Sequence, residues 1–322
     1  MIRLALVQPG KLIDTYLASL PYVDNLNVTA VVDENTERAG IAANRLGVSL
    51  ATTSLENLLQ QQQDFDAIAL HVPLEKRLTA IQLASAAGKH VFVTTPLAPT
   101  AEEARAIYTT CTKAAVRLMV TSYFRYLPSS LTLQEQLVSG KLGKPGLIRL
   151  HHWTPSRQHS VSLISQITAE IDVINWLMDM MPEIIFTLGK KNTDTQPGDI
   201  QIHLGYPTGA MAVIDIVHTL PVNSDPYYSL TLIGSTGAAY ADDHRNVQLL
   251  FQDKTATAPK LEFTSQVLRQ QLREFSESIL NNRQPTSNGH TDEQALLVAR
   301  GAADSLQAGR PVRIAGEQYE LI

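Results

Sequence analysis

Residues 66–100 read DAIALHVPLEKRLTAIQLASAAGKHVFVTTPLAPT, from Asp66 to Thr100. Ala67–Val72 is a short apolar run closed by Pro73, the pattern of a strand buried on both faces. Leu78–Ala87 carries apolar residues at helical spacing, and Gly88 stands where a left-handed residue ends a helix. Val91–Val93 is a second apolar strand, and Pro96 closes it. Two buried strands joined by one helix lie parallel, with a right-handed crossover. Sheets of this kind bind ligands beyond the carboxyl ends of their strands. His71–Leu74, with Val72 and Pro73, and Thr94–Pro96 are therefore expected to line one crevice.

The residues upstream repeat this grammar. Ile2–Val7 reads as a strand, Gln8-Pro9-Gly10-Lys11 as a turn, Leu12–Leu20 as a helix, and Val28–Val32 as a second strand ending at Asp33. Strand, turn, helix, strand and acidic residue is the layout of a dinucleotide-binding unit. Asp33 lies 23 residues past Gly10, against the roughly 20 expected for a carboxylate that holds a ribose hydroxyl. Two readings of Asp33 stand side by side: ribose acceptor, or cap of the next helix. As a ribose ligand it favours NAD over NADP, because a carboxylate repels a 2′-phosphate. Gly10 is the candidate for close approach of a pyrophosphate. Lys11 is either a phosphate partner or simply exposed, and Arg38 is expected on a solvated helix face. Thr100 and Glu103 form a capping box that opens Ala101–Ala115, and Arg117–Val120 reads as a further strand. The alternation predicts a doubly wound parallel sheet over residues 1–121.

The rhythm changes after Ser122. A long apolar helix, Leu163–Met178, is followed by Ile200–Tyr206, Ala210–Val217, Tyr228–Ile233 and Val247–Phe251, strands with no helix between them. Gln266–Leu280 and Glu293–Ala308 are closing helices. Residues 122–322 thus read as an α+β domain with a large, open, mostly antiparallel sheet and helices on one face. The bare sheet face is a natural oligomer surface.

With 322 residues the chain can build two domains, and its net charge of −5 argues against a nucleic-acid partner held by a basic surface. Its single cysteine, Cys111, excludes an internal disulfide and a cysteine metal cluster, and fits a cytoplasmic setting. The chain enters a strand at once, and no stretch reads as able to span a bilayer. His151, His152 and His159 do not suggest a metal site, because neighbours on a strand point to opposite faces and no nearby carboxylate has ligand spacing.

Several tracts occur in one order: Ala86-Ala87-Gly88-Lys89-His90-Val91 with Pro96-Leu97-Ala98, Leu118-Met119-Val120 with Arg125 and Pro128, and Ser139-Gly140-Lys141-Leu142-Gly143-Lys144-Pro145. Ile171-Asp172 with Trp176-Leu177, Arg273-Glu274-Phe275 and Gly309-Arg310-Pro311-Val312 complete the series. In that order they resemble the glucose–fructose oxidoreductase / inositol dehydrogenase / MocA family of nicotinamide-dependent sugar oxidoreductases, along nearly the whole chain. The resemblance implies a Rossmann-type first domain, NAD or NADP as cofactor, a sugar or polyol substrate, and a homo-dimer or homo-tetramer.

It also locates the family chemistry. The family lysine falls on Thr95, its helix aspartate on Ser165, and its histidine, four residues on, on Ala169. The glycines of its phosphate turn fall on Gln8, Gly10 and Ile13. A threonine has no cationic head and alanine does no acid–base work. The Thr95-Pro96 bond is cis if it follows the family, and trans if the segment is an ordinary strand exit. Asp172 reads either as a structurally paired acid or as a catalytic one. His159 is, from position alone, the best replacement proton carrier, or else a solvated loop residue. Glu170 lies about 100° round the helix from position 169 and is not expected to substitute. Two functions follow: an oxidoreductase with weak or no family-type activity, or a non-catalytic member acting in binding, sensing or scaffolding.

Overall fold

The computed structural model describes residues 1–60, 65–155, 162–189, 199–242, 250–252, 255–257, 263–316 and 318–322. His159, the glutamines at 61–63 and the first half of the strand expected at 247–251 lie outside the described residues. The chain forms two compact units, Met1–Ser122 with Phe263–Glu293, and Tyr123–Glu262 with Gln294–Ile322.

In the first unit the order is β1 (Ile2–Val7), α1 (Ile13–Ser19), β2 (Leu26–Val32), α2 (Thr36–Leu46), β3 (Leu50–Thr52) and α3 (Leu55–Gln60). It continues through β4 (Ala67–Leu70), α4 (Leu74–Ala86), β5 (His90–Thr94), α5 (Ala101–Lys113) and β6 (Leu118–Thr121). The strands form one parallel sheet in the order β3-β2-β1-β4-β5-β6. All four residues of β4 are buried, as its unbroken apolar run requires. Gly88 takes the left-handed conformation just past α4, with φ +68°. The strand order reverses between β1 and β4, which is the switch point where such sheets hold ligands.

The second unit contains α6 (Pro128–Val138), β7 (Pro145–Pro155), α7 (Leu163–Met178), β8 (Ile184–Gly189), β9 (Ile200–Gly205), β10 (Met211–Leu220), β11 (Tyr227–Gly234) and β12 (Ala238–Asp242). A short hairpin, β13 (Leu250–Gln252) with β14 (Thr255–Thr257), stands outside the main sheet. The main sheet runs β12-β11-β7-β10-β9-β8 and then takes β15 (Val312–Ala315) and β16 (Gln318–Leu321). Every neighbour is antiparallel except β7 with β10, which pair parallel. Helix α7 packs on β7 and β10, burying Ile167, Ile171 and Ile174. Strand alternation sends Leu188, Met211 and Ile233 to the other face, where they are about half exposed.

Helix α8 (Thr264–Leu280) belongs to the first unit, with the Phe275 ring 5.4 Å from that of Phe92 on β5. Helix α9 (Gly289–Ala308) follows it. Among the described residues, no helix is long and apolar enough to cross a membrane.

Candidate functional sites

The turn after β1 is built on two left-handed residues. Gln8 has φ +53° and Gly10 φ +50°, so the side chain at Gln8 occupies a conformation glycine adopts more easily. Gly10–Leu12 form one exposed 3-10 turn that runs into α1. A Cβ built on Gly10 would meet nothing within 4 Å, so the backbone there is open to a close-packed group such as a pyrophosphate. Lys11 is exposed beside it. Ile13, at the last glycine position, turns its side chain inward against Val31, Ala42 and Ala43 and leaves the turn clear.

Asp33 is buried at the end of β2. Its Oδ1 accepts the Asn35 backbone N–H at 2.9 Å, and Arg38 through Nε at 3.0 Å and a terminal nitrogen at 2.8 Å. No hydrogen bond falls on Oδ2 among the described residues. The cap of α2 is Asn35, whose side chain accepts the Arg38 backbone N–H at 2.9 Å, so the capping reading of Asp33 gives way. Arg38 lies on the solvated face of α2, as expected, and from there its guanidinium reaches Asp33, a partner that keeps it more firmly protonated. Next to it, Glu34 meets Lys76 at 2.6 Å, and this bond, aided by the Gln8 side chain, holds its carboxyl below the usual range.

The ends of β4 and β5 are tied from α4. Arg77 donates to the carbonyls of Thr94 at 2.6 Å, Val72 at 3.3 Å and Pro96, and to the Thr94 hydroxyl at 3.0 Å. Val72 is buried and Pro73 exposed. The Thr95-Pro96 peptide is cis. The Thr95 hydroxyl donates to Asp292 Oδ1, and the other oxygen of that buried carboxylate accepts the Leu97 N–H at 2.7 Å. Position 95 therefore holds a committed hydroxyl, with no proton to exchange near neutral pH. His71 Nε2 lies 2.8 Å from the Tyr16 hydroxyl.

In the second unit, Ser165 serves the start of α7: its N–H bonds Ser162 Oγ at 3.2 Å. Asp172 is gripped by Arg125, with Nε at 2.6 Å and a terminal nitrogen on the second oxygen; the two side chains are 3% and 4% exposed. The Trp176 ring lies 5.5 Å from the Arg125 guanidinium carbon. The alternation on β7 sends the two histidines to opposite faces. His151 meets Asp215 and Ser229, each at 3.2 Å, on the open face. His152 meets Glu170 on the helix-covered face, Nδ1 to Oε1 at 2.6 Å. Around it stand Phe124, with ring centroids 4.9 Å apart, and Tyr228 and His218, each at 6.3 Å. Sequence reasoning passed over this pair. The signal was a pair of acids, Glu170 and Asp172, on a largely apolar helix, each of which needs a partner, but the partners sit on other elements. Among the described residues, no group of three His, Cys, Asp or Glu side chains is arranged to hold a metal.

A parallel sheet with a 3-2-1-4-5-6 order, an open glycine turn at its switch point and an acid beyond β2 defines a dinucleotide-binding unit. Residues 2–122 match the glucose–fructose oxidoreductase / inositol dehydrogenase / MocA family model, described as oxidoreductase family, NAD-binding Rossmann fold. Over 329 residues it is 23% identical to the uncharacterized oxidoreductase YrbE of Bacillus subtilis, covering 96% of this chain and 95% of that one. It is 28% identical over 243 residues to an inositol 2-dehydrogenase of Klebsiella pneumoniae, covering 72% of this chain and 71% of the other. The fold is shared with scyllo-inositol dehydrogenase from Lactobacillus casei, a structure with bound NAD(H) and scyllo-inositol. The TM-score is 0.82 at 19% identity, over 97% of this chain and 99% of that one.

Proposed function

We propose that this chain is a nicotinamide-dependent oxidoreductase of a sugar or polyol in which the family's own proton route is weak or absent. The observation that carries the reading is the unobstructed backbone at Gly10, at the switch point, with Asp33 beyond the neighbouring strand. Gly10 and Lys11 would hold the pyrophosphate and Asp33 Oδ2 a ribose hydroxyl. Val72, Pro73, Thr94 and Pro96 would line the remainder of the nucleotide site. NAD is favoured over NADP, because Asp33 and Glu34 both bring carboxylates to the end of β2 and Arg38 already pairs with one of them. When bound, the nicotinamide supplies a hydride acceptor for a carbinol carbon. The names of the inositol dehydrogenases support a polyhydroxylated substrate.

Losing one positioned acid or base costs typically about 10²–10⁴ in rate, and here threonine, serine and alanine stand at all three family positions. Titration of the purified protein with NADH and NADPH by nucleotide fluorescence, followed by a turnover screen of sugars and polyols, tests the reading. Binding of NADH tighter than NADPH with slow turnover is expected. No binding at millimolar nucleotide overturns it.

A second reading is a non-catalytic member that binds, senses or scaffolds. It is favoured by the engagement of Thr95 with Asp292 and of Asp172 with Arg125, which leaves neither free for proton transfer. Tight nucleotide binding without turnover of any polyol would select it. A cytoplasmic setting and a homo-dimer or homo-tetramer through the open sheet face accompany the first reading. Leu188, Met211 and Ile233 on that face support the assembly, and a monomer mass by sedimentation would remove it.

A further inference from the structure

We propose that Lys76 is a phosphate-pairing residue of the dinucleotide site, and that Glu34 holds it as a latch across the path the nucleotide takes. Glu34 follows β2, and Lys76 lies in the first turn of α4, which follows β4. The strand order places β1 between β2 and β4. A bond from Lys76 to Glu34 must therefore cross the carboxyl end of β1, and that bond is present, Nζ to Oε1 at 2.6 Å. Gln8, the first residue past β1, joins it. Its backbone N–H donates to the Val32 carbonyl at 2.7 Å, and its side chain hydrogen-bonds Glu34. Side chains from beyond three adjacent strands are thus linked in one row, and all of them belong to the first unit.

A dinucleotide takes the same line. With a ribose at Asp33 and its far half against Val72 and Pro73, it runs from the end of β2 to the end of β4, over the turn that follows β1. The row crosses that turn at Gln8 and leaves the Gly10 backbone open. The bridge is also easily exchanged. The Lys76 and Glu34 side chains are 51% and 58% exposed, and ion pairs in such places are weak. A pyrophosphate offers an ammonium more negative charge and more acceptor oxygens than one carboxylate does.

The charges around the bridge favour the exchange. Lys76, by its hydrogen bond and its charge, keeps Glu34 ionised beside Asp33, a like charge. Glu34 in turn keeps the Lys76 ammonium firmly protonated, and Glu75 adds to that effect. Arg38 also lies within the field of Glu34 but is paired with Asp33. An incoming phosphate is repelled by Glu34 and attracted by Lys76, so the two members of one ion pair act on the nucleotide with opposite signs. No covalent bond changes: Lys76 leaves Glu34 for the phosphate, and Glu34 and Gln8 turn to water. The proposal rests on the dinucleotide reading and adds to it a residue from α4.

Fluorescence titrations of the full chain with NADH test the opposite signs. Glu34→Gln keeps the shape and removes the charge, and NADH affinity should rise about 3- to 10-fold. Lys76→Gln should lower it about 5- to 20-fold. Added salt should weaken NADH binding more in the wild type than in Lys76→Gln. Both positions are exposed, so thermal unfolding of the two variants should stay close to that of the wild type. A direct readout is the carboxyl ¹³C titration of Glu34, which should move upward when NADH saturates the protein, because Lys76 has left. A Lys76→Gln variant that binds NADH as tightly as the wild type overturns the proposal, and so does a Glu34→Gln variant that binds it no tighter. If the wild type binds NADH and both variants match it, the latch alone falls. If neither the wild type nor Glu34→Gln binds nucleotide, the dinucleotide reading falls and the latch with it.

Discussion

The hydroxyl of Thr95 and the carboxylate of Asp292, 197 residues apart in the chain, are hydrogen-bonded, and the same carboxylate accepts the backbone N–H of Leu97. A loop at the end of β5 is thus held by a residue at the start of α9. The bond is charge-assisted, so it is stronger than a neutral one. Thr95→Val keeps the volume and removes the donor; about 1–2 kcal/mol of unfolding free energy should be lost. Asp292→Ala also strands the buried Leu97 N–H and should cost more, about 3 kcal/mol. Urea unfolding of the two variants checks the order. Equal losses would mean that the Leu97 contact adds nothing.

Arg125 and Asp172 make a bidentate pair with both side chains nearly sealed from water. Breaking a buried pair leaves an uncompensated charge and typically costs about 3–5 kcal/mol, whereas replacing both partners by apolar groups is often neutral. Asp172→Asn and Arg125→Met should therefore each lower Tm sharply, and Asp172→Leu combined with Arg125→Met should recover most of it. The double-mutant cycle by thermal unfolding measures the coupling. Additive losses would show that the pair does not act as a unit.

Burial pushes the His71 imidazole down to about 4 and raises the Tyr16 hydroxyl well above the usual phenol range. Tyr16 is therefore the donor and neutral His71 the acceptor of their 2.8 Å bond. The unfolded chain binds a proton at this histidine near pH 6.5, before the folded chain does, so stability is full above that value and falls as pH drops toward 4. The loss across this window is up to about 3 kcal/mol. His71→Gln keeps an acceptor and removes the titration, so its stability between pH 7 and pH 4.5 should be flatter than that of the wild type. An equal drop in unfolding free energy between the two pH values for variant and wild type, measured by denaturant titration, would contradict this.

The central strand–helix–strand unit was legible because each of its signals is local. Buried strands announce themselves as apolar runs, and the realised elements, Ala67–Leu70, Leu74–Ala86 and His90–Thr94, differ from the reading only at their ends. The antiparallel character of the second sheet followed from strands in succession, but the parallel β7–β10 pair did not. Strands that far apart carry no mark of who their neighbour is. The same holds for the contacts of the sites. Nothing near Thr95 in sequence points to Asp292, nothing near Glu170 points to His152, and the return of 263–293 to the first unit is a tertiary outcome. Residue types were readable; pairings across more than one element were not.

Asp33 supplies the remaining prediction, because its two oxygens are unequal. Oδ1 is occupied by Asn35 and Arg38, and the described contacts leave Oδ2 for a ligand. If that oxygen accepts a ribose hydroxyl, Asp33→Ala removes a hydrogen bond to a charged group and should weaken NADH binding about 10- to 100-fold. Arg38→Ala removes only the partner on the other oxygen and leaves the acceptor in place, so NADH affinity should change by no more than a few-fold. NADPH should respond in the opposite direction to Asp33→Ala, since taking away the carboxylate removes repulsion from a 2′-phosphate while Arg38 gains a free guanidinium. Nucleotide fluorescence titrations of the two variants with both cofactors measure this. A loss of NADH affinity in Arg38→Ala as large as in Asp33→Ala would mean that the ion pair, rather than the free oxygen, holds the ribose.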